Sequence, residues 1–218
     1  MNSFVPGYLQ SQGQTLNYPC ALQSDCAAGY CCSAVPGSNQ KTCQMPNSDG
    51  IIRHQWTIRK MDIVLPGYTQ SNPSYGIEQS NSGIVEPGWK VHIVANEGDV
   101  IEVLVKNGLD QEGTSLHWHG MMQNGTNWSD GATGATQRPI APGATFLYRF
   151  QAQPCGTHWW HGHYNGQYLY GLSGALTVHC RNEAYKNRYL GNEVTLQLQD
   201  WYVNPYQDLV SWYKNVSP

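Results

Sequence analysis

Two His-x-His triplets within residues 115–163 constrain this chain more than any other feature. His117 and His119 flank a tryptophan, and His161 and His163 flank a glycine. Side chains alternate between the two faces of an extended strand, so the two histidines of each triplet share one face. If the two strands are neighbours, four imidazoles meet in one small volume. The triplets therefore favour a fold in which adjacent strands present these residues.

Neutral imidazole is a ligand for copper, zinc, iron and nickel. The chain has eight histidines, and five of them lie in this window. A single triplet is commonly two polar residues facing solvent, but two triplets flanked by Trp and Gly indicate a metal site. Sites built only from histidine suit zinc or copper, and the general affinity order favours copper. His158 lies three residues before His161, so we expect it to face the other way.

Composition favours a β-rich fold and excludes two classes of partner. Charged residues make up 12% of the chain, against about 25% in typical globular proteins. The 23 Gly, 12 Pro, 14 Tyr and 8 Trp favour strands and turns. The net charge is −3 and no basic run is present, which argues against nucleic acid as a partner. No apolar stretch is long enough to span a membrane.

The cysteines indicate an oxidising compartment. Five of the seven lie in the first 43 residues, in a polar segment. Such density is typical of disulfide staples, so we expect residues 1–46 to be a separate structural appendage rather than a binding or targeting module. Paired C-x-x-C spacing is missing, which argues against zinc there. Sequons at Asn124, Asn127 and Asn215 fit a glycoprotein, and we expect a secreted, extracellular protein of which this chain is a mature or truncated piece.

The remaining chain has the pattern of short strands separated by Gly and Pro turns. This spacing predicts an all-β antiparallel sandwich or barrel over residues 47–202. Residues 203–218 are expected to form a linker with a short helix that Asn204 and Pro205 begin and that ends near Lys214. Strands are predicted at 51–64, 90–95, 100–106, 114–119, 145–151, 157–163, 172–178 and 193–202, and loops at 67–88 and 123–142.

Two cysteines lie outside the leader and next to predicted strands. If residues 157–163 and 172–178 form a hairpin, Cys155 and Cys180 fall roughly opposite each other. A cross-strand disulfide is then expected between them. The five leader cysteines would remain odd in number.

Several motifs closely resemble the first domain of multicopper oxidases, and the laccases most of all. Similarity extends over about residues 50–202 and implies a cupredoxin-like Greek-key β-sandwich with a small disulfide-rich N-terminal segment. The motifs are His-Trp-His-Gly-Met-Met-Gln-Asn-Gly-Thr at 117–126, Trp-Ser-Asp-Gly at 128–131, Thr-Gln-Arg-Pro-Ile at 136–140, Ala-Pro-Gly at 141–143, Gly-Thr-His-Trp-Trp-His-Gly-His at 156–163, Gln167, and Gly-Leu-Ser-Gly at 171–174.

This resemblance implies a cofactor and a ligand set. The first domain of that family supplies half the ligands of a three-copper cluster. By motif position, His117 would bind the type 2 copper, and His119, His161 and His163 would bind the type 3 pair. These are the same four residues that strand alternation selects.

The resemblance also assigns a role to Asp130. It would be the acid near the type 2 copper that helps to deliver protons as O2 is reduced. Carboxylates that orient metal-bound histidine and water are common around metal sites. The other interpretation is that Asp130 is simply a residue of an Asp-Gly turn. Trp118, Trp159 and Trp160 are expected to pack around the site and keep it rigid rather than to carry electrons.

The pattern departs from a complete enzyme. The family's electron-entry copper site uses a His-Cys-His string in the last domain, and no such string occurs in this chain. We therefore expect half a cluster and an amino-terminal fragment or truncated product. Arg138 stands where laccases commonly have Cys, and Tyr170 replaces a usual Asp.

Three functions are compatible with these observations. The first is a copper-binding domain of a laccase-like enzyme that oxidises phenolic-type donors and reduces O2 to water. That enzyme would need the missing C-terminal cupredoxin domains as partners, so the isolated chain is expected to be inactive. The second is a non-catalytic secreted copper-binding module in a truncated form. The third is a secreted zinc protein on the same sandwich.

Overall fold

A computed structural model describes most of the chain after the leader. It describes residues 51–65, 67, 69, 71–183, 185, 188, 194–202 and 208–215, and the backbone alone of 18–19, 31–34, 41–44 and 206–207. The three short leader strands are β1 (Tyr18–Pro19), β2 (Cys31–Ala34) and β3 (Lys41–Gln44), which form a sheet in the order β1-β3-β2. The disulfides expected among the leader cysteines lie outside the described side chains and stay a prediction.

Beyond the leader, the described residues form nine strands in two mixed sheets. These strands are β4 (Ile51–Ile63), β5 (Asn72–Gln79), β6 (Val85–Pro87), β7 (Ile93–Asn96), β8 (Val100–Asn107), β9 (Leu116–His119), β10 (Thr145–Gln151), β11 (Gly156–Gly162) and β12 (Ser173–His179). The five-stranded sheet has the order β10-β8-β4-β5-β6, and the four-stranded sheet has the order β7-β12-β11-β9. The pairs β4–β8 and β7–β12 are parallel, and the other pairs are antiparallel. The all-β prediction is confirmed, but the predicted antiparallel arrangement is wrong for these two pairs, because each joins strands that run in the same direction.

Aromatic residues from both sheets fill the space between them. Trp56 of β4 lies 4.9 Å from Trp160 of β11, measured between ring centroids. Trp118 of β9 lies 5.0 Å from Phe150 and 5.3 Å from Tyr148, both on β10. All five side chains are at most 1% exposed. Burial of such large apolar surfaces is the main driving force for joining the sheets.

Most strand predictions agree with the structure, but the predicted loop at 67–88 is partly wrong. It contains β5 and β6, and β5 pairs with β4 along its whole length. Asn, Pro, Ser and Gly are poor strand formers, which hid this strand in the sequence. The pairing with β4 and the burial of Tyr75 and Ile77 outweigh that local preference.

The strand predicted at 193–202 is also wrong for the described part of that segment. Residues 194–202 form no strand in the structure. Side chains hold them instead, since the Gln199 amide donates to the Tyr168 carbonyl at 2.9 Å. The apolar Val194, Leu196 and Leu198 are 77%, 79% and 92% exposed. These three apolar side chains therefore face solvent.

The remaining predictions concern the terminal helix, one disulfide, the domain boundaries and membrane spans. The helix α1 (Tyr206–Asn215) lies where a short helix was predicted, although its proposed cap at Asn204 and Pro205 falls outside the described residues. The disulfide Cys155–Cys180 is present, with the Cα atoms 5.0 Å apart, as predicted. The domain boundaries near residues 46 and 202 stay predictions. Within the described part of the chain, every helix is too short to cross a bilayer.

Candidate metal centre

Two neighbouring strands carry the predicted ligands. β9 and β11 pair antiparallel, and the register places His161 opposite His117 and Trp159 opposite His119. Strand alternation then turns Trp118 and Trp160 into the core and the imidazoles to the other face of the four-stranded sheet. Trp118 and Trp160 thus pack in the core on the opposite face of the sheet from the histidines, which agrees with the packing role predicted for them. The strand register therefore brings two triplets that are distant in sequence into one cluster.

The four imidazoles converge. Ring centroids of His117 lie 5.5 Å from His119, 5.3 Å from His161 and 5.5 Å from His163. His161 lies 5.5 Å from His119 and 6.0 Å from His163. One candidate ligand nitrogen from each of His117, His119 and His161 lies within 4.8 Å of the others. His163 follows the end of β11, is exposed, and joins the cluster at its edge.

Hydrogen bonds leave ring nitrogens available for a ligand. The Nδ1 of His117 lies 2.7 Å from the Asp130 carbonyl oxygen, and that of His161 lies 3.1 Å from the Gly162 carbonyl oxygen. A carbonyl only accepts, so each Nδ1 carries the proton and each Nε2 keeps its lone pair. His119 Nδ1 lies 3.3 Å from His161 Nε2, so these two nitrogens can share a hydrogen bond that a bound metal ion would replace. Two lone-pair positions therefore face the same small volume.

Burial keeps His161 in the form that binds metals. The pKa of His161 is lowered to about 4, chiefly by desolvation and less by the nearby histidines, against the opposing effect of its hydrogen bond to Gly162. Its imidazole is neutral at physiological pH. A neutral imidazole with a bonded Nδ1 is the form in which histidine ligates metals.

Asp130 lies beside His117. It follows the short 3-10 helix Asn127–Ser129, and its Oδ1 lies 3.3 Å from His117 Nδ1. Gly131 has a φ of +82°, and a Cβ on it would collide with the Leu116 carbonyl of β9. Only glycine lets the loop approach that strand so closely. The geometry is thus compatible with both interpretations of Asp130, as a turn residue before glycine and as a carboxylate beside the cluster.

Aromatic rings form one wall of the cluster. Trp159 stacks on His161 at 4.2 Å and on His119 at 5.1 Å between centroids. Tyr168 lies 5.5 Å from His161. The sequence placed Trp159 near the site but missed Tyr168, because it lies in the 3-10 helix Gln167–Tyr170, where strand alternation says nothing about orientation.

His158 stands apart from the cluster. Its Nε2 donates to the Pro154 carbonyl oxygen at 3.0 Å. Its Nδ1 lies against Gly120, where a Cβ would collide with it. His158 is not among the residues whose ligand atoms converge. The prediction that it faces away from the ligands agrees with this position.

Known proteins are similar to this chain in both sequence and fold. A family model described as multicopper oxidase matches residues 67–183. The iron transport multicopper oxidase fetC of Epichloe festucae is 39% identical over 144 residues, which cover 66% of this chain and 23% of that protein. Laccase-2 of Botryotinia fuckeliana is 38% identical over 157 residues, or 72% and 25% of the two chains. Fet3p, a multicopper oxidase that functions in iron import, superposes with a TM-score of 0.59 at 30% identity, over 73% and 28% of the two chains.

The fold and these similarities first define a class, a cupredoxin-like β-sandwich. The chain belongs to the multicopper oxidase family. It spans about a quarter of the length of the three relatives described above. Copper is the metal that the family implies, and the donor set fits it: imidazole suits copper, and candidate ligand nitrogens of three histidines converge on the sheet.

Proposed function

We propose that this chain is the first domain of a laccase-like multicopper oxidase and supplies half of the copper ligands of a three-copper cluster. The observation that supports it is the convergence of four imidazoles on the outer face of β9 and β11. By motif position, His117 binds the type 2 copper, and His119, His161 and His163 bind the type 3 pair. Bound copper would supply the one-electron redox chemistry with which O2 is reduced to water.

The protein's own residues hold the ligands in place. The Asp130 carbonyl fixes the ring of His117, and the Gly162 carbonyl fixes that of His161, so each Nε2 points to the cluster. Trp159 packs over two of the rings and keeps water from one side. The Asp130 carboxylate, beside His117, is placed to hold a proton at Oδ1 and release it as O2 is reduced.

The remaining ligands and the electron-entry site would come from further cupredoxin domains. The chain covers about a quarter of its relatives, and its sequence has no His-Cys-His string. The donor would be a small phenolic-type molecule, by analogy with the laccase relative, and the enzyme would act outside the cell. The missing string favours a second candidate for the chain alone: a secreted module that binds copper without turnover.

Copper titration of the purified chain tests the proposed ligands. Isothermal calorimetry and electron paramagnetic resonance should show copper bound by nitrogen, with weaker binding in His117→Ala and in His161→Ala. His158→Ala is the matched control, because this histidine lies on the same strand but outside the cluster. Undiminished copper binding in both cluster variants would reject the assignment. A preference for zinc over copper in competition would support a zinc protein instead.

Oxygen uptake tests the division of labour between domains. The isolated chain, loaded with copper and given a phenolic donor, should consume no oxygen and show no intense blue absorption. Both need the electron-entry site that its sequence lacks. Turnover by the chain alone would contradict the proposal that further domains complete the enzyme.

A further inference from the structure

A buried glutamine links the two segments that carry the histidine pairs. Gln167 is 0% exposed and lies four residues after His163. Its Oε1 accepts a hydrogen bond from the Thr114 hydroxyl at 2.8 Å, and its Nε2 donates to the Gly113 carbonyl at 3.0 Å. Both partners lie just before the strand of His117. The amide therefore joins the chain after one histidine pair to the chain before the other.

This link lies where the strand ladder has ended. The pairing of β9 with β11 stops at Gly162 opposite Leu116, one residue before His163. Past that point, the His163 amide donates to the Ser115 carbonyl at 3.0 Å, and the Gln167 amide forms the next connection. His163 is thus held by bonds outside the ladder. The Gln167 bond with Thr114 is buried and the one with Gly113 is partly buried, and a lost partner in such a place leaves an unsatisfied polar group.

Ionic groups anchor the outer end of the same link. The Glu112 carboxylate accepts hydrogen bonds from the Tyr75 hydroxyl at 2.6 Å and, more weakly, from Gln167 Nε2 at 3.4 Å. Lys60 Nζ lies 2.6 Å from the other Glu112 oxygen and 3.9 Å from the centre of the Tyr75 ring. Lys60 and Tyr75 belong to β4 and β5, so the network ties the histidine segments to the five-stranded sheet.

We propose that Gln167 is a positioning residue for the metal centre, and that its bonds to Thr114 and Gly113 set the distance between His163 and His117. The inference rests on the proposed ligand role of these histidines. A purely structural role for Gln167 would change the stability of the chain and leave the metal site unaltered. A positioning role changes the geometry at the metal as well.

Two variants separate these roles. Gln167→Met keeps the length of the side chain and removes its hydrogen bonds, and Thr114→Val removes the hydroxyl that donates to it. Ser74→Ala is the matched control: Ser74 is equally buried, and its hydroxyl donates to the Asn72 carbonyl at 2.8 Å on β5. Copper affinity and the electron paramagnetic resonance spectrum are measured at a temperature where circular dichroism shows each chain to be folded.

The expected result is a dissociation constant for copper raised about 10-fold in Gln167→Met, in the range seen when partners of metal ligands are removed. The spectrum should change in the same variant. Thr114→Val should show a smaller effect in the same direction, and the double variant should cost less than the sum of the two. Ser74→Ala should keep the wild-type affinity and spectrum.

Unchanged affinity and spectrum in folded Gln167→Met would overturn the proposal and leave Gln167 a structural residue. If Gln167→Met does not fold, Thr114→Val decides, and wild-type behaviour in that variant overturns it equally. Failure of the proposed function looks different. In that case the wild-type chain binds no copper through His117 and His161, whatever residue 167 is.

Discussion

The two sheets have equivalent inner faces and very different outer faces. Inside, both contribute fully buried aromatic and aliphatic side chains to one core. Outside, the five-stranded sheet carries ion pairs, such as Arg53 with Glu102 at 2.9 Å and Arg59 with Glu78 at 2.8 Å. The outer face of the four-stranded sheet carries the imidazole cluster instead. The core is therefore common to both sheets, whereas the candidate metal centre lies on one outer face alone.

The difference is one of partners. On the five-stranded sheet, the Glu102 carboxylate is shared by Arg53 and Arg149, so its oxygens are already bonded. On the four-stranded sheet, His117 and His161 each use Nδ1 for a backbone carbonyl, and the Nε2 of His161 faces the Nδ1 of His119 inside the cluster. Charged pairs at the surface satisfy each other, whereas neutral imidazoles crowded together can bind a cation.

Breaking the shared core should have the largest effect. Trp118→Ala removes a fully buried ring that contacts Tyr148 and Phe150 across the sandwich. We expect the free energy of unfolding to fall by about 4 kcal/mol, the usual cost of a large aromatic cavity. Urea denaturation measures it. Trp128→Ala is the control, because that ring is 59% exposed and its loss should change stability by no more than about 0.5 kcal/mol. Equal losses would refute the assignment of stability to the core.

Opening the disulfide tests the far end of the four-stranded sheet. The bridge Cys155–Cys180 joins residues 25 apart in sequence at the ends of β11 and β12. Replacing both with alanine should lower the free energy of unfolding by about 3 kcal/mol, as expected for a loop of this length. Copper affinity should stay near the wild-type value because the bridge lies away from the cluster. A large loss of affinity would show that the two ends of the sheet are coupled.

His54 of the other sheet, whose ring nitrogen Nε2 is buried, gives an acid-sensitivity test. Burial lowers the pKa of His54 to about 4, and its Nε2 has no partner among the described residues. Unfolding restores a pKa near 6.5, so the unfolded chain binds more protons between pH 6.5 and pH 4. The stability that neutral His54 contributes above pH 6.5 is therefore lost as the pH falls from 6.5 to 4.

The variant His54→Phe should remove that loss. Relative to wild type, the fall in unfolding free energy between pH 7.5 and pH 4.5 should shrink by roughly 2 kcal/mol. Chemical denaturation at the two pH values measures it, on metal-free chain so that the copper ligands do not contribute through binding. An identical pH dependence in the variant and wild type would show that His54 is protonated in the folded chain.

The surface ion pairs should matter least. Arg53→Ala breaks a pair in which the arginine side chain is 41% exposed, so solvent screens the interaction. We expect the unfolding free energy to change by less than about 1 kcal/mol. The change should be smaller still in 0.5 M salt, which screens exposed charges. A loss approaching that of Trp118→Ala would mean that the outer face of the five-stranded sheet contributes to stability far more than its exposure suggests.

Local pattern determined much of this protein. The period-two alternation of strands places His117 with His119, and Trp118 on the other face, whatever the partner strand is, because that period is a property of the backbone. The motifs shared with multicopper oxidases identify the family from the same short segments, and Cys155 and Cys180 predict their own bridge. These features depend on residues close in sequence or on a simple hairpin.

Tertiary structure alone decided the rest. The pairing of His161 with His117 is a register between segments more than forty residues apart, and a slip by one residue would turn the imidazoles into the core. Asp130 reaches His117, and Gln167 reaches Thr114, from a loop and a 3-10 helix, which have no side-chain period that predicts orientation. The strand at 72–79 pairs with β4 along its whole length and with β6 over part of it, and these partners are distant from the local preferences of its residues. Contacts across the fold, made possible by burial, determine all of these positions.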